Sequence, residues 1–212
     1  DGRKSAYKLN SELDEWVEKL KVGKPRFTGR VQPASDTSHP AMSVNLEACI
    51  QCTRCVRACR EEQVNDVIGM AYRGSHAEIV FDINDPMGES TCVACGECVQ
   101  ACPTGALMPA NEVGLIETDK KVDSVCPYCG VGCLLTYHVK GGKLLQVEGR
   151  NGPANNGRLC VKGRFGFDYV HHKDRLKTPL IRRNDFPKTK ELLRPEDWKK
   201  VFREVSWDEA LE

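Results

Sequence analysis

Apolar residues first become periodic at Leu13, Trp16, Val17 and Leu20, a spacing of i, i+3, i+4, i+7 that gives a helix one apolar face. Ser11 stands at the cap position, Glu12 and Asp14 in the first turn, Lys19 and Lys21 near the end, with Gly23 and Pro25 as stops. These signals predict a helix over residues 10–23. Its face either covers the chain's own core or docks, through Trp16, on a partner subunit or an upstream domain. Residues 24–42 hold Pro, Gly, Ser and Thr without a period and predict a linker. Further on, Val67 to Tyr72 and Ala77 to Phe81 flank Arg73-Gly74-Ser75, predicting two strands and a turn. Leu134 to Val139 and Lys143 to Glu148 flank Gly141-Gly142, a pair suited to a two-residue primed turn, so a hairpin is expected. Short helices are expected near Val56 and Val99. The mixture is α+β, in modules too small to bury a sufficient core alone.

Twelve cysteines lie between Cys49 and Cys160. Cys49, Cys52, Cys55, Cys59 and Cys92, Cys95, Cys98, Cys102 repeat the spacing C-x2-C-x2-C-x3-C, and Pro103 follows the second run. Three thiolates two residues apart can wrap three corners of a 4Fe–4S cube, leaving the fourth corner for a ligand from elsewhere. The runs resemble those of bacterial ferredoxins, in which the fourth cysteine of each serves the other cluster. That resemblance assigns Cys49, Cys52, Cys55 and Cys102 to one cluster, and Cys92, Cys95, Cys98 and Cys59 to a second. Arg60 stands where a ferredoxin usually has Pro, which affects the local turn and not the ligand. Apolar neighbours (Ile50, Val56, Val93, Val99) would exclude water, a lever on potentials that span roughly −700 to +450 mV. Cys126, Cys129 and Cys133 form a third group that Cys160 can close, with Gly130 and Gly132 letting backbone approach a metal. Four thiolates also suit structural zinc, which stays open for this group on spacing alone. Six disulfides in a secreted scaffold fit the triple C-x2-C-x2-C runs poorly.

Apolar content is 40% and aromatic content 7%, as small cluster-centred cores require. With 31 basic and 30 acidic residues the formal charge is +1, and no basic stripe invites nucleic acid. No run approaches the roughly 20 apolar residues of a membrane span. Asp1-Gly2-Arg3-Lys4 shows no initiator Met, apolar signal core or twin-arginine leader, so a cytoplasmic protein is expected. The missing Met also raises the expectation of further upstream residues. Ser206-Trp207-Asp208-Glu209 starts a helix with only three residues left, so the chain is expected to continue past Glu212.

Downstream, Val125 to Cys133, Leu159-Cys160-Val161-Lys162-Gly163-Arg164-Phe165, Arg175 to Ile181 and Val205 to Leu211 follow in order. This series resembles the N-terminal iron–sulfur module of the molybdenum or tungsten bis-pyranopterin oxidoreductases. Upstream, Ser38-His39-Pro40 and Cys49 to Cys59 with Gln63 resemble the alpha subunit of NAD-dependent, cytoplasmic formate dehydrogenases, and also the large iron–sulfur subunit of complex I. The resemblance implies a third 4Fe–4S cluster on Cys126, Cys129, Cys133 and Cys160. It implies that Lys162 lies between that cluster and a Mo or W bis-pyranopterin guanine dinucleotide, where a cation holds the pterin by charge-assisted hydrogen bonds. The implied organisation is 1–42, helix and linker; 43–112, two-cluster ferredoxin-like domain; 119–175, molybdopterin-oxidoreductase 4Fe–4S domain; 176–212, the start of a catalytic domain. The implied enzyme oxidises formate to carbon dioxide. Its electrons pass through the Cys126 set and then the ferredoxin-like clusters toward flavin and NAD on partner subunits, themselves flavin/NAD-binding or iron–sulfur proteins. No catalytic acid, base or nucleophile is expected here, because the substrate site belongs to the remainder of the catalytic subunit.

His39, His171, His172 and the pair Glu61-Glu62 are read as structural or solvated residues, since the three cysteine sets are already complete. Competing functions are another pterin oxidoreductase or complex I-type subunit, a self-standing iron–sulfur carrier, and a zinc-stabilised scaffold.

Overall fold

The computed structural model describes residues 11–112, 118–191 and 193–212, and the start of the expected first helix at Asn10 lies outside them. Two compact units are present, Asp1–Asp168 and Tyr169–Glu212.

In the first unit, α1 (Glu12–Lys19) begins at a reciprocal cap. The Asp14 amide donates to the Ser11 hydroxyl oxygen (3.3 Å), and the Asp14 carboxylate accepts from the Ser11 amide (3.1 Å). The Leu13 amide donates to the Pro103 carbonyl (3.1 Å), and Arg54 pairs with Glu12 (2.6 Å), so α1 lies against the first cysteine loop. Trp16 remains 48% exposed, with the Lys19 ammonium 4.7 Å from its ring centre.

The expected linker ends at Asp36. Its backbone exchanges two 2.9 Å hydrogen bonds with Val44, and its carboxylate accepts from the amides of Ser38 (2.8 Å) and Met87 (2.7 Å). One short side chain thus ties residues 36–44 to the loop near residue 87. The chain continues through β1 (Met42–Val44), α2 (Arg54–Arg57) and a π turn over Ala58–Glu62. Then come β2 (Ile68–Ala71), β3 (Glu78–Phe81), α3 (Glu97–Ala101) and β4 (Leu107–Pro109). β2 pairs antiparallel with β3 as the turn signal at Gly74 predicts, and β1 pairs with β4. The Arg60 side chain pairs with Asp66 (2.7 Å) at the exit from the π turn. The core of this half includes Met42, Ile68, Phe81 and Leu107 together with Cys55, Cys59, Cys98 and Cys102, so the thiols are built into the apolar packing.

β5 (Lys120–Val125), β6 (Leu134–Lys140) and β7 (Lys143–Gly149) form an antiparallel sheet in that order. Gly141 (φ 54°) and Gly142 (φ 76°) make the two-residue turn between β6 and β7, both left-handed as a type I′ turn demands. Leu135, Val147, Leu159 and Phe167 form a second core, with Cys126 and Cys133 packed at its edge. α4 (Val161–Phe165) starts on Cys160.

The second unit pairs β8 (Leu180–Arg182) antiparallel with β9 (Phe202–Glu204) after α5 (Trp198–Val201). It ends in α6 (Trp207–Leu211), where the Glu209 amide donates to the Ser206 hydroxyl (3.2 Å). Among the described residues no helix is long and apolar enough to cross a membrane.

Candidate metal centres

The first two cysteine loops share one backbone device. Gln51 (φ 56°) and Ala94 (φ 55°) precede the second cysteine of each loop, and Thr53 (φ 59°) and Gly96 (φ 73°) follow it, all left-handed. For non-glycine residues that conformation costs about 1–2 kcal/mol each, and such strain persists where a site demands it. Here it turns amides toward sulfur. The Gln51 amide donates to Cys49 Sγ and the Ala94 amide to Cys92 Sγ, both at 3.4 Å. Cys59 Sγ accepts from the Val67 amide at 3.4 Å, and Cys102 Sγ lies 3.6 Å from Thr104 Oγ1.

Burial and neighbouring thiols together describe the grouping. Burial pushes the Cys55 thiol up to about 12, and the thiols of Cys102, Cys49 and Cys52 reinforce the shift. Cys49 is raised by burial, then by Cys102 and Cys52. Cys98 is raised well above the ordinary value, first by burial and then by Cys95, Cys55, Cys92 and Cys59. Burial raises Cys92 too, with Cys59 beside it. Cys102 therefore sits with the Cys49 loop, Cys59 sits with the Cys92 loop, and the two sets adjoin at Cys55 and Cys98. A small recess opens among Cys49, Cys52, Cys55 and Cys102, walled by Ile79 and Leu107. All twelve thiols are free. A soft, cationic iron–sulfur core suits such donors: it holds as thiolates groups that would otherwise stay protonated, and its binding releases protons.

The third set has a different setting. The Cys126 amide donates to the Cys133 carbonyl (2.8 Å), closing the loop in which Gly130 (φ 76°) and Gly132 (φ 82°) are left-handed. Cys133 is raised by burial, then by Cys126, Cys129 and Cys160, so the distant fourth cysteine joins the other three. Asn155 is the clasp that returns the chain. Its Oδ1 accepts from the Leu134 amide (3.0 Å), and its Nδ2 donates to the carbonyls of Leu134 (3.0 Å), Arg150 (3.2 Å) and Arg158 (2.9 Å). Cys129 and Cys160 are exposed and Cys126 and Cys133 half-buried, whereas in the first two sets only Cys52 is exposed and Cys55, Cys59, Cys95, Cys98 and Cys102 are buried. Among the described residues, no group of three or more His, Cys, Asp or Glu forms a single-ion site.

Lys162 is exposed on α4, two residues beyond Cys160. His39 is buried, and its Nδ1 accepts from the Ala41 amide (3.1 Å). His172 Nδ1 accepts from the Asp174 amide (3.2 Å), a local turn. Glu61 pairs with Arg57 (3.0 Å), and Glu62 pairs with Arg158 on the loop before Cys160.

Three residues near the sites carried no sequence signal for this role. Arg164 and Glu97 form an ion pair at 2.6 Å with side chains only 3% and 9% exposed. Gln100 Nε2 donates to the carbonyls of Gly149 (3.2 Å) and Gly157 (3.1 Å), and its Oε1 accepts from the Gly149 amide (3.1 Å). All three join α3, beside the second loop, to the module holding the third set.

Comparison with known proteins agrees with this division. Residues 48–106 match the family model of the 4Fe-4S dicluster domain, and residues 119–172 that of the molybdopterin oxidoreductase Fe4S4 domain. The chain thus holds a small cysteine-rich ferredoxin-like module followed by a molybdopterin oxidoreductase Fe4S4 domain. It is 31% identical, over 94% of its length, to the Bacillus subtilis protein named "Probable oxidoreductase YjgC". It is 31% identical over 96% to the Staphylococcus aureus (strain USA300) protein named "Putative formate dehydrogenase SAUSA300_2258". In both cases the chain spans 23% of the relative's length. A solved NAD+-reducing NiFe-hydrogenase in the H2-reduced state is similar over 56% of this chain and 51% of its own. Its TM-score is 0.48 at 21% identity.

Proposed function

We propose that this chain is the electron-relay portion of a formate dehydrogenase alpha subunit in the cytoplasm. It would carry three 4Fe–4S clusters between a Mo or W bis-pyranopterin guanine dinucleotide and flavin- and NAD-binding partners. The observation that supports this best is the gathering of twelve free thiols into three sets of four within one unit. Relatives named as formate dehydrogenases favour formate over other substrates of pterin enzymes.

The Cys49, Cys52, Cys55, Cys102 set and the Cys92, Cys95, Cys98, Cys59 set would hold the ferredoxin-like pair, and Cys126, Cys129, Cys133 and Cys160 the third. Bound there, such clusters take up and release one electron at a time. Of the expected apolar neighbours Val56 and Val99 are buried, joined by Ile79, while Ile50 and Val93 are exposed. The buried side chains shield part of the first two sets from water, disfavouring the more negative reduced state. The amides of Gln51, Ala94 and Val67 oppose this by donating to sulfur. At the exposed edge of the third set, the Lys162 ammonium would hold the pterin by charge-assisted hydrogen bonds.

The test uses the full-length protein, purified anaerobically and assayed for metals and pterin. Adding formate alone should bleach the visible thiolate-to-iron bands and give reduced-cluster EPR signals. If dithionite bleaches those bands and formate does not, the formate assignment fails. If pterin is absent as well, the chain is a self-standing carrier.

A further inference from the structure

Arg164 connects two ligand loops in a way that no motif assigns. Its amide donates to the carbonyl of Cys160 (3.1 Å), and its Nε donates to the carbonyl of Cys95 (2.9 Å). Cys160 belongs to the third set and Cys95 to the second. One residue therefore spans the gap between them with a backbone hydrogen bond at one end and a side-chain hydrogen bond at the other.

Its geometry is over-determined. Nη1 donates to Gln100 Oε1 (2.7 Å) and Nη2 to Glu97 Oε1 (2.6 Å), and the same Glu97 oxygen accepts from the Leu159 amide (3.0 Å). The guanidinium fork therefore has acceptors for three nitrogens, with the long side chain fixed in a buried slot. Opposite it, Gly96 is left-handed (φ 73°), and a Cβ there would overlap Arg164 Cδ and stand 2.8 Å from Phe165 Cζ. Glycine is required both by the backbone and by the approach of Arg164. Surface placement would leave an arginine free to move; here burial, three acceptors and a cleared path hold it.

Resting on the relay reading above, we infer that Arg164 is a positioning residue for electron passage between the Cys126 set and the Cys92 set. Glu97, Gln100 and Gly96 hold it across a hydrogen-bonded path between them. With clusters bound at both sets, one electron would pass from that of the Cys126 set to that of the Cys92 set; no bond would form or break and no proton would move. Tunnelling falls steeply with separation and with breaks in a bonded path, so displacing Arg164 slows this step without altering the ligands.

The experiment uses the anaerobically reconstituted full-length protein with Arg164→Gln, Arg164→Lys and Gly96→Ala. The readouts are iron content, the magnetic coupling between the second and third clusters by pulsed EPR, and the rate at which the second cluster is reduced from the third. Arg164→Gln should lower that rate tenfold or more and weaken the coupling at unchanged iron content. Gly96→Ala, which displaces Arg164 while keeping its charge, should act in the same direction. Arg164→Lys, able to keep one donor on Cys95, should fall between Gln and wild type. Wild-type coupling and rate in iron-replete Gln and Ala variants would overturn the inference. Loss of iron from all three would do so too, because Arg164 would then maintain the sites and not the path between them. If the wild type itself shows no transfer between these clusters, the relay reading fails first.

Discussion

Asn155 offers the sharpest test of how the third set is closed. Its side chain is buried and touches four backbone groups: the amide and carbonyl of Leu134 and the carbonyls of Arg150 and Arg158. The amide nitrogen has two hydrogens for three carbonyls, so three full hydrogen bonds are the effective number. At about 0.5–1.5 kcal/mol net per bond, Asn155→Ala should cost about 1.5–4.5 kcal/mol. That is roughly a 13- to 2,000-fold shift toward an open loop. Asn155→Asp is nearly the same size, yet it should cost as much or more. One oxygen still accepts from Leu134, but the other faces three carbonyl oxygens with no proton to offer. Because this loop delivers Cys160, the opening should appear as faster loss of the third cluster alone. The assay is anaerobic iron release to a chelator, with the EPR signals of the three clusters followed separately. Equal release from the Asp variant and wild type would refute the reasoning, as would a uniform acceleration of all three clusters.

Three further outcomes are expected. Glu97→Leu should destabilise the protein by about 3–5 kcal/mol by leaving the Arg164 charge unpaired. The double variant with Arg164→Leu should be more stable than Glu97→Leu alone, and strict additivity in anaerobic guanidinium unfolding would contradict this. Cys102→Ser should abolish the same EPR signal as Cys52→Ser, and Cys59→Ser the same one as Cys95→Ser; the opposite pairing would overturn the crossed ligation. Burial holds the His39 imidazole below its ordinary 6.5 against the opposing charge of Asp36, and its neutral Nδ1 accepts the Ala41 amide. The unfolded chain therefore binds more protons in the window between the folded value and 6.5. Stability should fall as pH drops through that window and level off below it. His39→Gln should flatten that part of the stability–pH curve, and an unchanged slope would count against it.

The parts of this fold legible in the sequence are those whose cause is local. Gly141 and Gly142 announce their turn because both need left-handed backbone, and Ser11 announces α1 because its partner Asp14 is one turn away. Cysteine spacing is local in the same sense, whereas the return of Cys160 depends on the tertiary bonds of Asn155. The β1–β4 pair escaped because three-residue strands, Met42–Val44 and Leu107–Pro109, show no period. Asp36 read as linker because its partners Val44 and Met87 are set by folding. Gln51, Thr53 and Ala94 adopt positive φ without the glycine that signals it. Arg164 and Glu97 lie on opposite sides of two modules, and in sequence each is an ordinary charge beside a cysteine motif.

Quantifying iron and sulfide in the anaerobically reconstituted full-length protein, together with EPR during a reductive titration, tests the central claim most directly. Three sets of four thiolates predict about twelve irons and about twelve sulfides per chain in this region, in three separate reduced-cluster signals. About eight irons, two signals and a tightly held zinc that only Cys126→Ser or Cys160→Ser releases would contradict it.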